Sequence, residues 1–429
     1  MNALNIPDTN LKRIVIIGCG FGGLQLAKKL AKQAYQVVML DKHNYHTFQP
    51  LLYQVATAGL EPDSIAYPIR RIFKGQKNFY FRLAAAQKVE APQNVLHTNI
   101  GPLQYDYLVI ATGSTTNYFG LKGVAQKGLP MKNIPEALNL RSLILENFEK
   151  AALSHELSDR QRLMNFVIVG AGPTGVELAG ALAELKTHVL PNDYPDLDFR
   201  QMSIHLIEAM DKVLPPMSDT ASKKSLKYLT QLGVQVWTDT KVANYDGKDV
   251  YTDKKTLPAS TLIWAAGVKG ASIEGLNEQG EMGGGRYLVN EFNQVGSHQN
   301  IFAIGDVAAM QASEYPKGHP MLAQVAMQQG QHLAKNFKAW AQNKKPQNFK
   351  YKDPGTMATV GRNKAVVDLG TLRFGGFAGW LVWMFVHLMS LVGFKNKAVV
   401  LTNWVLSYFS YDKKMRLIIR PFQRQNFSD

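Results

Sequence analysis

RIVIIGCGFGG, residues 13–23, predicts the fold, because it joins an apolar strand to a glycine-rich turn. A helical run, a second apolar strand QVVML and then Asp41 follow it. Gly18, Gly20 and Gly23 suit a tight turn, close approach of the backbone to a pyrophosphate, and close packing of helix on strand. Asp41 lies 18 residues beyond Gly23, where a carboxylate accepts hydrogen bonds from ribose hydroxyl groups. The chain is therefore expected to begin with a dinucleotide-binding βαβ unit.

The same motif recurs in NFVIVGAGPTGVELAGALAEL, residues 165–185, with Gly170, Gly172 and Gly175. The next strand ends at Glu208, which lies 33 residues beyond Gly175 instead of the usual separation of about 20. An insertion, THVLPNDYPDLDFRQ, explains the excess, and its prolines and turn-forming residues predict a surface loop. A carboxylate at Glu208 repels a 2′-phosphate, which favours NADH over NADPH.

Composition narrows the functional classes. A chain of 429 residues exceeds the usual size of one core, so two domains are expected. The formal charge of +15 predicts an anionic partner, which by charge alone is nucleic acid, an anionic membrane surface or a phosphate-bearing ligand. Cys19 is the only cysteine, which excludes an internal disulfide, a redox-active dithiol and a cysteine-based metal site. His43 and His46 lack a third ligand at metal-binding spacing, so we expect no metal.

Two later stretches, YDYLVIATGS at 105–114 and NIFAIGDVAAM at 300–310, each combine a buried strand with a turn of small residues. The residues predicted to form cofactor edges there are Ala111, Thr112, Gly113 and Asp306. Asp306 has a second interpretation, as a helix cap before a run of small residues. One dinucleotide domain interrupted by another resembles the two-domain flavoprotein reductases, in which FAD takes the first site and a nicotinamide the second. The resemblance implies that Asp306 holds the ribityl or pyrophosphate region of FAD.

HNYHTFQPLLYQVATAGL, residues 43–60, narrows the resemblance to the type II NADH dehydrogenases, single-chain flavoproteins that pass electrons from NADH to a membrane quinone. The other matching stretches are AGPTGVELAG, LIWAAGV, AIGDVA, AQVAMQQG and GTMATVGRNKAVVD. Disulfide reductases and sulfide:quinone oxidoreductases place cysteines beside the flavin, and the single cysteine excludes both. The resemblance implies an α/β fold with two Rossmann-like dinucleotide-binding domains, for FAD and NADH, and a C-terminal membrane-associated helical domain.

The resemblance also implies roles for single residues. Glu177 matches a family glutamate placed where nicotinamide meets flavin, where it would orient the reactants and tune charge; alternatively, it is a carboxylate favoured by the positive end of its helix. Gln324 and Gln328 match the quinone end of the flavin and share a helix face, with Ala323 leaving space for the ring. Solvent-facing glutamines are the alternative. Gln49 is expected near the isoalloxazine.

The predicted domains follow from this order. The FAD-binding domain is expected in two parts, residues 1–118 and 291–370, the second of which carries the quinone-site helix. The NADH-binding domain is expected at residues 119–290, and the membrane-binding domain at residues 371–429. The sequence leaves a homodimer open.

Near the C-terminus, residues 374–394 form 21 uncharged positions, long enough for a membrane-spanning helix. Basic residues nevertheless flank the stretch on both sides, whereas a spanning helix usually biases its charge to one side. Residues 371–429 hold eight Lys or Arg and two Asp. A weakly polar stripe also recurs along the helix, at Gly376, Gly379, Trp383, His387 and Ser390.

These features predict a helix lying in the membrane interface, held by an anionic lipid surface. The rings expected in the headgroup layer are Trp380, Trp383, Trp404 and Tyr408. A buried core helix is the alternative. Because the first apolar run, IVII, is too short for a signal peptide, the enzyme is expected on the cytoplasmic face of the inner (plasma) membrane.

The expected function is NADH:quinone oxidoreduction. A hydride passes from NADH to non-covalent FAD, and two electrons then pass to a membrane quinone. No intramembrane chain of acids or lysines is present, so proton pumping is not expected, and nucleic acid is not an expected partner. The alternatives are a soluble NAD(P)H-dependent reductase of a ferredoxin or small acceptor, and a non-catalytic flavoprotein that signals through a partner.

Overall fold

The protein is described by a computed structural model that covers residues 4–276, 281–410 and 415–420. The chain divides into two compact units. The first unit comprises Met1–His46, Tyr67–Thr115 and Val268–Pro354, and the second comprises Thr47–Ala66, Thr116–Gly267 and Gly355–Asp429. This division follows packing and does not test the functional domains, which stay predictions.

Helices in the described residues are α1 Phe21–Leu30, α2 Leu52–Ala56, α3 Pro62–Ile65, α4 Ile69–Ile72, α5 Lys122–Lys127, α6 Ile134–Leu153, α7 Leu157–Met164, α8 Pro173–His188, α9 Leu190–Asp193, α10 Asp219–Gln231, α11 Ala323–Ala341, α12 Phe377–Ser390 and α13 Phe394–Ser410. The strands are β1 Arg13–Ile17, β2 Gln36–Asp41, β3 Tyr45–Thr47, β4 Ala66–Pro68, β5 Phe79–Leu83, β6 Ala86–Glu90, β7 Val95–Thr98, β8 Gly101–Gln104, β9 Tyr107–Ile110, β10 Ser114–Thr116, β11 Leu129–Pro130, β12 Phe166–Val169, β13 Ile204–Ile207, β14 Gln235–Trp237, β15 Val242–Tyr245, β16 Asp249–Thr252, β17 Thr256–Pro258, β18 Thr261–Trp264, β19 Val268–Gly270, β20 Glu281–Met282, β21 Arg286–Val289, β22 Ile301–Ala303, β23 Ala308–Met310, β24 Thr356–Thr359, β25 Ala365–Leu369 and β26 Leu372–Gly376.

A parallel sheet forms the core of the first unit, with strand order β22-β9-β1-β2-β5. Strands β22, β9, β1 and β2 are largely apolar and buried, as expected for a parallel sheet covered on both faces, whereas the edge strand β5 is half-exposed. In the sheet register, Ile17 pairs with Ile110, which in turn pairs with Ala303. The turns that follow β1, β9 and β22 therefore lie side by side at the carboxyl edge of the sheet, where α/β proteins bind ligands.

Helix α11 crosses α1 at two glycines. A Cβ atom added to Gly330 would lie 2.4 Å from the carbonyl oxygen of Gly22, so the two backbones meet without a side chain between them. The crossing fixes the N-terminal part of α11, which carries the predicted quinone glutamines, against the helix that follows the first glycine turn.

The second unit repeats this plan with a parallel sheet of order β11-β18-β12-β13-β14. The prediction of a surface loop before Glu208 was partly wrong. Helix α8 continues to His188, α9 follows, and a 3-10 turn occupies Phe199–Gln201. Phe199 is buried, and its ring lies 5.8 Å from that of Phe148 on α6. The insertion is ordered because apolar side chains among its turn residues reach the core.

The apolar C-terminal stretch forms two helices, α12 and α13, which are separated at Gly393 with a φ of +88°. Within the described residues, no helix has the length and apolar character needed to cross a membrane. The middle of the weakly polar stripe of α12 faces inward, since Gly379 and Trp383 are buried, whereas Ser390 at its end is exposed. The opposite face exposes large apolar side chains, including Phe385, which is 66 % exposed. The buried-core alternative for this stretch is therefore wrong.

Candidate functional site

The first glycine turn has the geometry of a dinucleotide cradle. Gly18 has a φ of +102°, and a Cβ there would lie 2.3 Å from the carbonyl oxygen of Ala111. A Cβ on Gly23 would lie 2.0 Å from the carbonyl oxygen of Gly18, so close packing of helix on strand requires glycine. A Cβ on Gly20 would meet no protein atom within 4 Å. The space over Gly20 is therefore open to a ligand.

Asp41 binds the middle of this turn. Its Oδ2 accepts a hydrogen bond from the amide of Cys19 at 2.6 Å, and its Oδ1 accepts one from the amide of His43 at 2.8 Å. The Nδ1 atom of buried His46 lies 2.7 Å from the carbonyl oxygen of Cys19. Burial lowers the pKa of His46 to about 4, so this ring is neutral. Each carboxylate oxygen keeps a second lone pair for a ligand hydroxyl group.

The cysteine in the turn, Cys19, is a buried filler. Burial first, and then the charge of Asp41, raise the pKa of the Cys19 thiol far above its ordinary value. The thiol is therefore protonated and unsuited to nucleophilic or redox chemistry.

The predicted cofactor edges converge beside this cradle. The Oγ1 atom of Thr112 donates to the carbonyl oxygen of Ala271 at 2.7 Å, and the amide of Ala271 donates to the carbonyl oxygen of Gly113 at 3.0 Å. The hydroxyl group of Ser114 donates to Asp306. The helix-cap interpretation of Asp306 was wrong, because a 3-10 turn, Gly305–Val307, is followed by strand β23.

Sequence reasoning missed Gln329. This side chain is fully buried, and its Oε1 accepts a hydrogen bond from the amide of Gly305 at 2.7 Å. It thereby fixes the turn that carries Asp306. The sequence spacing could have indicated that Gln329 is buried, because Val325, Gln329 and Leu333 follow one another at steps of four residues along the buried face of the helix.

The two predicted quinone glutamines differ in their contacts. Ala323 is the first residue of α11, and Gln324 follows it. The Oε1 atom of Gln324 is buried and accepts no hydrogen bond from the described residues. Gln328 instead forms two hydrogen bonds with the backbone of Lys352: its Nε2 donates to the carbonyl oxygen at 2.8 Å, and its Oε1 accepts from the amide at 3.0 Å. Gln324 is the freer of the two to bind a ligand.

The second glycine turn reproduces the first. Gly170 has a φ of +101°, and a Cβ on Gly175 would lie 1.9 Å from the carbonyl oxygen of Gly170. A Cβ on Gly172 would meet no protein atom within 4 Å. The Oε2 atom of Glu208 accepts a hydrogen bond from the amide of Ala171 at 2.7 Å. The second unit therefore presents a second open cradle with a carboxylate bonded to its middle amide.

Glu177 lies away from solvent in the second unit, where it is 6 % exposed. It lines a cavity of about 110 Å³ together with residues of α2, α12 and α13. Its Oε1 accepts hydrogen bonds from the indole Nε1 of Trp383 at 3.2 Å and, less favourably, from the amide of Thr359 at 3.4 Å. Burial raises the pKa of Glu177 to about 8, against the effect of these donors.

Gln49 is exposed at the start of a 3-10 turn, Gln49–Leu51, in the second unit. Its expected place near an isoalloxazine stays a prediction. One of the headgroup-layer predictions was wrong, because Trp383 is 2 % exposed and packs inward. Trp404 is half-buried, and its Nε1 atom donates to the Oε1 atom of Gln54 at 2.8 Å, so its place in the headgroup layer stays a prediction. The rings of Trp383 and Trp404 both line the cavity that contains Glu177.

Two family profiles match the chain. The profile described as "Pyridine nucleotide-disulphide oxidoreductase" matches residues 12–330, and the profile described as "NDH2 C-terminal domain" matches residues 354–410. The first covers both glycine turns and the cofactor edges. The second covers the last antiparallel sheet, α12 and α13.

Curated relatives and solved structures agree with the profiles. The type II NADH:quinone oxidoreductase Ndh of Mycobacterium tuberculosis is 36 % identical, over 93 % of this chain and 88 % of the relative. NdhA of the same organism is 34 % identical, over 92 % of this chain and 87 % of its own. A structure of NDH2 from Plasmodium falciparum in complex with NADH shares the fold with a TM-score of 0.88, at 22 % identity, covering 96 % of this chain and all of that one. The chain therefore belongs to the type II NADH:quinone oxidoreductases, a flavoprotein family with two dinucleotide-binding domains.

Proposed function

We propose that this protein binds FAD non-covalently in the first glycine turn, oxidises NADH bound at the second, and reduces a membrane quinone without pumping protons. The observation that carries the proposal is the pair of open turns, each with a carboxylate bonded to its middle amide. Bound FAD supplies a centre that accepts a hydride and passes electrons onward. The protein's own residues bind and orient the dinucleotides.

Exchange of the middle glycine in each turn tests the assignment of the two dinucleotides. Gly20 and Gly172 have φ values of −69° and −70°, which alanine adopts without strain, and an added methyl group meets no protein atom. Gly20→Ala should yield a folded protein with most of its flavin lost. Gly172→Ala should keep its flavin and raise the KM for NADH, because its methyl group meets only the second ligand.

Flavin absorbance, circular dichroism and steady-state kinetics measure these effects, and each variant is the matched control for the other. Equal flavin loss in both variants, or in neither, would contradict the assignment.

Preference for NADH is proposed to depend on Glu208. Its carboxylate is held by the amides of Ala171, at 2.7 Å, and Met210, at 3.0 Å, so its charge is fixed beside the cradle. Glu208→Gln keeps the size and one acceptor while removing the charge. The ratio of kcat/KM for NADPH to that for NADH should rise about tenfold, which corresponds to roughly 1.4 kcal/mol of relieved repulsion. An unchanged ratio would place the selectivity elsewhere.

Quinone contact is proposed for Gln324 and not for Gln328, whose amide already holds the backbone of Lys352. A Gln324 amide that turns toward a ligand donates an N–H to a quinone carbonyl. Gln324→Leu should slow reoxidation of the reduced enzyme by a short-chain quinone about tenfold, the equivalent of one hydrogen bond.

Stopped-flow measurement of the two half-reactions checks this, because anaerobic flavin reduction by NADH should stay nearly unchanged. Gln331→Leu, at an exposed glutamine two turns further along the same helix, is the control. Equal losses in both half-reactions for Gln324→Leu would refute the assignment.

Attachment to the membrane is proposed for the outer faces of α12 and α13, and the cytoplasmic face of the inner (plasma) membrane is proposed as the side on which the enzyme lies. The large side chains that these faces expose are Phe377, Leu381, Phe385, Met389, Phe394, Leu401, Val405, Leu406 and Phe409. Lys395 is exposed beside them, and each basic group near anionic lipid contributes about 1 kcal/mol. Lys413, Lys414 and Arg424, which were counted in the basic segment, lie outside the described residues. A soluble ferredoxin reductase gives no reason for so continuous an apolar surface.

Phe385→Ser combined with Phe409→Ser should weaken binding to anionic vesicles at least tenfold, because each ring contributes roughly 1.5–3 kcal/mol when it leaves water. Flotation at rising salt concentration measures this. Leu153→Ser, at a position 80 % exposed on α6, is the control for loss of an apolar surface residue. Undiminished binding by the double variant, with flavin retained, would count against interfacial attachment.

A further inference from the structure

Trp383 lies on the inward face of α12, a helix whose opposite face is exposed. Leu381 and Phe385, two positions away on either side, are 47 % and 66 % exposed, whereas Trp383 is 2 % exposed. Helical geometry requires this alternation, because residues two apart lie on opposite faces. The indole therefore reaches from α12 into the cavity of the second unit, where its N–H meets Glu177.

The indole itself is held rigidly. Its ring stacks on that of His387 at 4.1 Å with an interplanar angle of 24°, and lies 5.8 Å from the ring of Trp404. The Nδ1 atom of His387 lies 2.8 Å from the carbonyl oxygen of Trp383. A donor fixed on both sides restricts the carboxyl group that it binds to one orientation.

We propose that Trp383 is a positioning residue that holds the carboxyl group of Glu177 through its indole N–H and so makes the surface helix α12 a working part of the site. This inference rests on the proposed function for the importance of Glu177 in turnover. The inferred effect of Trp383 on the position and the proton affinity of that carboxyl group does not depend on the proposed function.

None of the charged and titratable groups described below holds the carboxyl group of Glu177 as the indole does. Tyr53 of α2 is deeply buried, and burial raises the pKa of its phenol, so it is neutral. Burial lowers the pKa of His387 on α12 to about 4, so it is neutral as well. Arg362, after β24, directs its guanidinium to the carbonyl oxygens of Ser407 and Tyr408 on α13, and its amide donates to Glu184 of α8. Within the described residues, Glu177 has no salt bridge.

The hydrogen bonds to Glu177 determine the direction in which its pKa changes when the indole N–H is lost. A donor to a carboxylate stabilises the charged form and lowers its pKa, whereas burial raises the pKa. Loss of the indole N–H leaves burial and the longer bond from the amide of Thr359, so the pKa of Glu177 should rise further. At a given pH, more of the population then carries a protonated Glu177.

Trp383→Phe keeps an aromatic ring against His387 and removes the N–H. The C=O stretching band of the protonated carboxyl group, assigned by its disappearance in Glu177→Gln, should titrate with a midpoint about one pH unit higher in Trp383→Phe. The rate of quinone reduction should depend on pH through a step that is lost in Glu177→Gln, and in Trp383→Phe the midpoint of that step should rise by the same amount. In the Glu177→Gln background, Trp383→Phe should cause no further shift.

Trp404→Phe is the matched control, because it removes an indole N–H from the same cavity that bonds Gln54 instead. Its infrared midpoint should equal that of the unsubstituted enzyme. Benzothienylalanine in place of Trp383 has the shape of tryptophan without the N–H, and replaces the phenylalanine variant if that variant does not fold.

An infrared midpoint that stays in place without the Trp383 N–H overturns the proposal, as does an equal shift in Trp404→Phe. A shifted midpoint with a pH profile insensitive to Glu177→Gln keeps the positioning role and removes Glu177 from turnover. The two failures are therefore distinguishable.

Discussion

The hydrogen bond from the middle amide of each glycine turn to a carboxylate after the second strand is the constraint on which the structure depends. Cys19 and Ala171 supply the amides, and Asp41 and Glu208 accept them at 2.6 and 2.7 Å. The bond requires a backbone free of side chains at the tight positions, since a Cβ on Gly18 or Gly170 would enter the neighbouring strand turn. Each bond fixes its glycine turn at the carboxyl edge of the parallel sheet, where a ribose and a pyrophosphate are proposed to bind.

Sequence reasoning recovered both βαβ units because their signals are local: apolar strands, three glycines in the turn and an acid at the end of the next strand. It failed where the outcome depended on tertiary contacts. Phe199 orders the insertion by packing against Phe148 of α6, with the two rings 5.8 Å apart, and no local sequence pattern identifies that partner. Gln329 was passed over because a glutamine is usually read as a surface residue, although its spacing places it on the buried face.

The surface helices show the same limit more sharply. Their composition predicted two faces, and α12 has them, but the pattern did not reveal which face turned inward. The interior accepts Gly379 and Trp383 because a small residue allows close approach and an indole satisfies a buried carboxyl group. Apolar side chains such as Phe385 are left outside. Among soluble proteins such an arrangement is unfavourable, and a lipid surface reverses that balance.

The thiol in the first turn has a consequence for durability. Peroxide and alkylating reagents attack thiolates, and the Cys19 thiol is both buried and held in its protonated form. Since the chain has no second cysteine, the folded protein presents these reagents with no reactive sulfhydryl group and no means of forming an intramolecular disulfide. Oxidative damage is thereby shifted to the 15 methionines, whose sulfoxides are enzymatically reversible.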